Sequence, residues 1–137
     1  MSVFIDSSIW FAAIVAKDAN NQRAKRLLAQ ARSPVTTDHV VVETWLLLNA
    51  RYSRAAAEAF WERAGSDAVR VEYVTAIDME SAWRAGGIFP DQDFSIVDLT
   101  SFAVMERLGI LKVASFDHHF AIYRFGRNRD KAFEVLR

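Results

Sequence analysis

The chain contains no cysteine, which excludes disulfides, thiol catalysis and thiolate metal sites. A reducing, cytoplasmic setting is the expectation that follows. Proline and glycine are scarce, at two and five residues, which leaves little material for linkers. No internal repeat or low-complexity segment is present. Net charge is missing too, because 17 basic and 17 acidic residues cancel. Proteins that hold nucleic acid by non-specific phosphate contacts alone are usually more basic. Any nucleic acid must therefore meet a local basic patch, a bound cation, or both. Long apolar runs are absent, so no membrane span is expected. The opening Met1-Ser2-Val3-Phe4-Ile5-Asp6 lacks a basic leader and reads as a strand, not a signal peptide.

What is present suits one domain over residues 1–137. The apolar fraction is 52%, and a chain of this size buries roughly two thirds of its unfolded surface. Short apolar runs alternate with helical patterns. Val3 to Ile5, Pro34 to Thr37, Val69 to Val74 and Lys112 to Phe116 read as strands, with a further edge strand near Phe133 to Leu136. Helices are expected over Ile9–Val15, Ala19–Ala31, Asp38 (as cap) to Ala50, Ser53–Ala64, Ala76–Ala85 and Phe94–Leu108. Gly86-Gly87 reads as a helix stop. The alternation implies an α/β domain with a mainly parallel sheet covered on both faces.

Four carboxylates stand out. Asp6 and Asp117 each follow an apolar strand, where open α/β sheets bind ligands. Each is equally suited to cap the next helix. Glu43 lies in Val40-Val41-Val42-Glu43-Thr44-Trp45-Leu46-Leu47-Leu48, a helix apolar on most of its circumference and expected to be largely buried. A Glu there is either partly exposed, paired with an arginine such as Arg51 or Arg54, or bound to a metal. Asp98 lies three residues after Ser95, so the pair fits a capping box. The same geometry points both side chains past the helix start. Four gathered acids would repel one another unless a hard divalent cation such as Mg²⁺ sat among them. Such a cation also lets an acidic pocket receive a phosphodiester.

The motifs Phe4-Ile5-Asp6-Ser7-Ser8, Val42-Glu43-Thr44, Phe94 to Phe102 and Ser115-Phe116-Asp117-His118-His119-Phe120, in this order and spacing, resemble the PIN-domain family. The likeness is to its VapC-type toxins and covers nearly the whole chain. It implies a three-layer α/β/α sandwich and a metal-dependent endoribonuclease acting through a metal-activated water. It also implies a site of Asp6, Glu43, Asp98 and Asp117 holding Mg²⁺ or Mn²⁺, with Ser7 and Ser95 in support. An RNA substrate, a VapB-like antitoxin and a homodimer are the partners it implies. Many relatives carry an acid where His119 stands here, and Asp91 or Asp93 is a candidate substitute ligand beside a solvated-loop role.

Arg51 and Arg54, with Arg124, Arg127 and Arg129, are the basic candidates for RNA contact, although a solvated face explains most such residues. His39, His118 and His119 read as structural or surface residues. Trp10, Trp45, Trp61 and Trp83 read as core or interface. Two phosphate-handling alternatives fail on particular residues. A haloacid-dehalogenase-like phosphatase needs a second Asp where Ser8 stands. A receiver needs a phospho-accepting Asp and a Lys that Val74-Thr75-Ala76 and Asp117-His118 do not supply. A non-catalytic binding module is the remaining alternative.

Overall fold

The computed structural model describes residues 1–137. Its strands are β1 (Val3–Ile5), β2 (Pro34–Thr37), β3 (Arg70–Glu72), β4 (Lys112–Ala114) and β5 (Glu134–Leu136). The helices are α1 (Ser7–Ile14), α2 (Asn21–Gln30), α3 (Asp38–Arg51), α4 (Arg54–Ala64), α5 (Ala76–Ile88), α6 (Ile96–Leu108) and α7 (His119–Ile122). The five strands form one sheet in the order β3-β2-β1-β4-β5, and every pairing is parallel. This is the expected three-layer α/β arrangement. The edge strand anticipated in the tail is β5.

Side-chain alternation in β1 explains the layers. Phe4 enters a cluster with Val35, Phe102, Met105, Val113 and Phe120, under α5, α6 and α7. Val3 and Ile5 face the opposite way, onto Ile9, Ala12 and Ala24 of α1 and α2. A third cluster of Val15, Val41, Leu48, Ala57 and Phe60 joins α3 and α4 to the end of α1. The strand order reverses beside β1: its successor β2 lies on one side and β4 on the other. The carboxyl ends of β1 and β4 therefore open a crevice at a topological switch point.

Several local expectations are corrected. Thr37, not Asp38, caps α3, its hydroxyl accepting from the Val40 amide at 3.1 Å. Asp38 instead accepts from the Val74 amide, tying α3 to the segment after β3. Helix α5 runs through Gly86-Gly87 to Ile88, although each Gly costs about 1 kcal/mol against Ala. At Gly86 a Cβ would stand 3.3 Å from Leu99, so the glycine lets α5 and α6 approach closely. Helix α3 is less buried than its composition implies, since Val42 and Leu46 are 47% and 56% exposed. Trp61 and Trp83 are likewise exposed, which removes the core half of the core-or-interface expectation for them.

Candidate active site

The crevice collects all four acids. Asp6 ends β1, and its backbone amide bonds to the Ala114 carbonyl of β4 at 3.1 Å. It stands at the N-cap position of α1, yet its side chain makes no capping bond. The capping explanation for Asp6 therefore fails. Its Oδ2 accepts instead from Ser8 Oγ at 2.9 Å and from Ser115 Oγ at 2.8 Å. Ser115, the residue after β4, is fully buried and also accepts from the Asp117 amide. Asp6 is thereby fixed across the seam between β1 and β4.

Glu43 projects from α3, half-buried, and no arginine meets it. Its Oε1 accepts from Ser7 Oγ at 2.9 Å. Asp98 is the third residue of α6 and closes a capping box with Ser95: the Ser95 hydroxyl accepts from the Asp98 amide and Asp98 Oδ2 accepts from the Ser95 amide, each at 3.0 Å. The same Oδ2 lies 2.7 Å from His119 Nδ1. Asp117 follows β4, and its Oδ1 accepts from the His119 amide at 2.9 Å. On Glu43, Asp98 and Asp117 these bonds fall on one carboxylate oxygen and leave the other without a protein donor.

None of the four acids pairs with Lys or Arg. Burial pushes the Asp6 carboxyl above its ordinary range, against the Ser115 and Ser8 hydroxyls, and the Asp98 charge adds to the rise. Burial also raises Glu43, opposed by Ser7 and reinforced by the charges of Asp6, Asp98 and Asp117. Asp98 is raised for the same first reason, with the Ser95 and His119 bonds opposing and Asp117 adding. The tightest grouping of donor atoms lies at the rim, where those of Asp117, His118 and His119 fall within 4.8 Å of one another. Asp6, Glu43 and Asp98 do not fall within such a grouping. Hard oxygen donors, one free oxygen on three of the acids and no Lys or Arg partner form a donor set that fits a divalent cation.

Comparison with known proteins covers most of the chain. Residues 3–126 match the family described as PIN domain. The chain belongs to the PIN-domain family. It is 43% identical over 125 residues to the 23S rRNA-specific endonuclease VapC20 of Mycobacterium tuberculosis, in strains CDC 1551 / Oshkosh and H37Rv. That alignment covers 90% of this chain and 95% of the relative. A crystal structure of the M. tuberculosis VapC20, described as a Sarcin-Ricin loop cleaving toxin, superposes with a TM-score of 0.84 at 42% identity. It covers 88% of this chain and 93% of that one. The likeness places the activity of this PIN protein with the VapC-type toxin endoribonucleases.

Ser7 and Ser95 are each bonded to an acid. Two residues of the site were not singled out as such from the sequence. Ser8 and Ser115 hold Asp6. His119, read from the sequence as a structural or surface residue, begins α7, is only 16% exposed and is bonded to Asp98. The position of Ser8 beside Asp6, and of Ser115 two residues before Asp117, was the available signal. Asp91 and Asp93 are exposed loop residues. His118 is 73% exposed. His39 bridges α3 to Thr100 of α6, a structural role. Arg51 is exposed, while Arg54 pairs with Glu58 and lies over the Trp45 ring at 5.2 Å. Arg124 binds the carbonyls that end α7, and Arg129 lies over the Phe89 ring at 5.8 Å. None of these arginines bonds to the four acids.

Proposed function

We propose that Asp6, Glu43, Asp98 and Asp117 form one divalent-cation site, occupied by Mg²⁺ or Mn²⁺, at which RNA is hydrolysed. The observation that carries this reading is the convergence of the four acids at the β1–β4 switch point without any Lys or Arg. A divalent cation there lowers the pKa of a bound water and neutralises the charge of a phosphodiester. Asp6 and Asp98 are the principal ligands, since serine hydroxyls or a capping box hold each in one orientation. Glu43 has a raised pKa and a free Oε2, which suit it to accept the proton of the attacking water. Asp117 faces the rim, where it would hold the cation directly or through a water, or orient the nucleophile. Ser7 joins Glu43 to the floor beside Asp6.

The substrate we assign is 23S ribosomal RNA, by likeness to relatives that share over two fifths of the sequence along nearly their whole length. A VapB-like antitoxin is the expected protein partner, and Arg51 and Arg54 are assigned a supporting place in RNA contact. The exposed Ile77 and Trp83 of α5 support a homodimer. Strand β5 shares the sheet with the matched region, which supports one domain over residues 1–137. No helix is long and apolar enough to cross a membrane, and we assign the protein to the cytoplasm.

The test is incubation of purified protein with total RNA and Mg²⁺, followed by mapping of the cleaved ends. A discrete cut in 23S RNA that needs the cation and disappears in Asp6→Ala supports the reading. Equal cutting by Asp6→Ala, or in excess chelator, contradicts it.

A further inference from the structure

His119 begins α7, which packs against α6, and its ring is almost enclosed. It is 16% exposed and stands edge-on to Phe94 at 5.3 Å. Phe94 is held in turn against Phe102 of the core at 5.2 Å. The imidazole therefore has little rotational freedom. Its Nδ1 lies 2.7 Å from Asp98 Oδ2 and 3.3 Å from Asp117 Oδ1, while its backbone amide donates to that same Asp117 oxygen. One residue thus ties the start of α6 to the end of β4.

The consequence falls on Asp98. Its Oδ2 accepts from the Ser95 amide and lies within hydrogen-bond distance of the imidazole Nδ1, a contact that an ionised Asp98 makes with Nδ1–H as donor, whereas Oδ1 has no protein donor. A carboxylate with two donors on one oxygen cannot turn about its Cβ–Cγ bond without breaking both. We infer that His119 is a positioning residue whose Nδ1–H locks Asp98, so that Oδ1 alone is presented to the divalent cation. The inference rests on the cation-site reading above. Groups that hold a ligand in this way typically matter by about 10–100-fold in metal affinity.

The experiment uses the full chain freed of metal, titrated with Mn²⁺ while free Mn²⁺ is followed by electron paramagnetic resonance. The proteins compared are wild type, His119→Ala, His119→Asn and Asp98→Ala. The amide N–H of Asn replaces the imidazole Nδ1–H, so His119→Asn should bind close to wild type. His119→Ala should bind about 10–100-fold more weakly, and its cleavage should recover as Mn²⁺ is raised. Nitrogen NMR of the metal-free wild type should find the neutral ring protonated at Nδ1. Wild-type affinity in His119→Ala, or a loss in His119→Asn as deep as in His119→Ala, overturns the positioning role. Failure of the underlying reading looks different: wild type then binds no Mn²⁺, or Asp98→Ala binds as well as wild type, and the positioning role falls with it.

Discussion

Helices α5 and α6 begin alike and do opposite things with the same motif. Thr75 with Asp78, and Ser95 with Asp98, each close a capping box in which hydroxyl and carboxylate exchange bonds with backbone amides. Both aspartates are buried, 2% and 7% exposed. Asp78 also receives Nε and Nη2 of Arg107, each at 2.9 Å. Burial alone would raise its carboxyl, but the Arg107 bonds, the Thr75 bonds and the Arg107 charge together outweigh burial and hold it below the ordinary range. Asp98 meets no Lys or Arg, faces Asp6 and Asp117, and stays raised. Capping and function are therefore not competing explanations for such a residue. The box fixes where the carboxylate sits, and its other partners decide whether it is a structural counterion or a ligand awaiting a cation.

Exchanging each Asp for Asn tests the contrast most severely. Asp98→Asn keeps an acceptor for the Ser95 amide, so the protein should fold, yet RNA cleavage should fall at least about a thousandfold. Asp78→Asn should retain cleavage per folded molecule. A comparable loss in folded Asp78→Asn would remove the distinction between the two helix starts.

Stability should respond in the opposite order. Losing one partner of a buried pair costs about 3–5 kcal/mol. Arg107 is 33% exposed, so the expected loss in Asp78→Asn is smaller, about 2 kcal/mol. Metal-free Asp98→Asn should be no less stable than wild type, because it removes repulsion among the acids. Urea denaturation without metal measures both.

The pH dependence follows from the directions of the shifts. Asp6, Glu43 and Asp98 are raised in the folded state. Their contribution is fully present below the unfolded values, about 4, and is lost as pH rises through the folded values. Asp78 is lowered, so its contribution is present above its unfolded value and lost as pH falls through the folded one. Metal-free protein should therefore lose stability as pH rises above the unfolded carboxylate values of about 4, and saturating Mg²⁺ should flatten that slope. A slope unchanged by Mg²⁺ would separate the acids from any cation.

The smallest expected effects come from the capping hydroxyls. Thr75→Ala and Ser95→Ala should each cost about 1 kcal/mol of stability. Only Ser95→Ala should also weaken the thermal stabilisation by Mn²⁺.

Much of this was legible because it is local. Asp6 and Asp117 stand at the ends of short apolar strands, and one strand followed by one acid is a pattern a linear sequence displays. The Ser95–Asp98 box is likewise a three-residue spacing. What the sequence could not display is what each carboxylate faces. Asp78 carries the same spacing as Asp98, and only the fold brings Arg107 to it from 29 residues away. His119 reads as a structural or surface residue, and only the fold closes Phe94 and Asp98 over it. The exposure of Val42 and Leu46 was hidden for a related reason: hydrophobicity around α3 does not say which side a neighbouring helix covers.

The central claim is that the acids at the switch point are one cation site and that the α5 aspartate is not part of it. Mn²⁺ binding to metal-free wild type, Asp98→Asn and Asp78→Asn, measured by calorimetry at neutral pH, tests this most directly. Saturable binding should appear in wild type and Asp78→Asn and be lost in Asp98→Asn. Equal binding in Asp98→Asn, or none in wild type, would contradict the account.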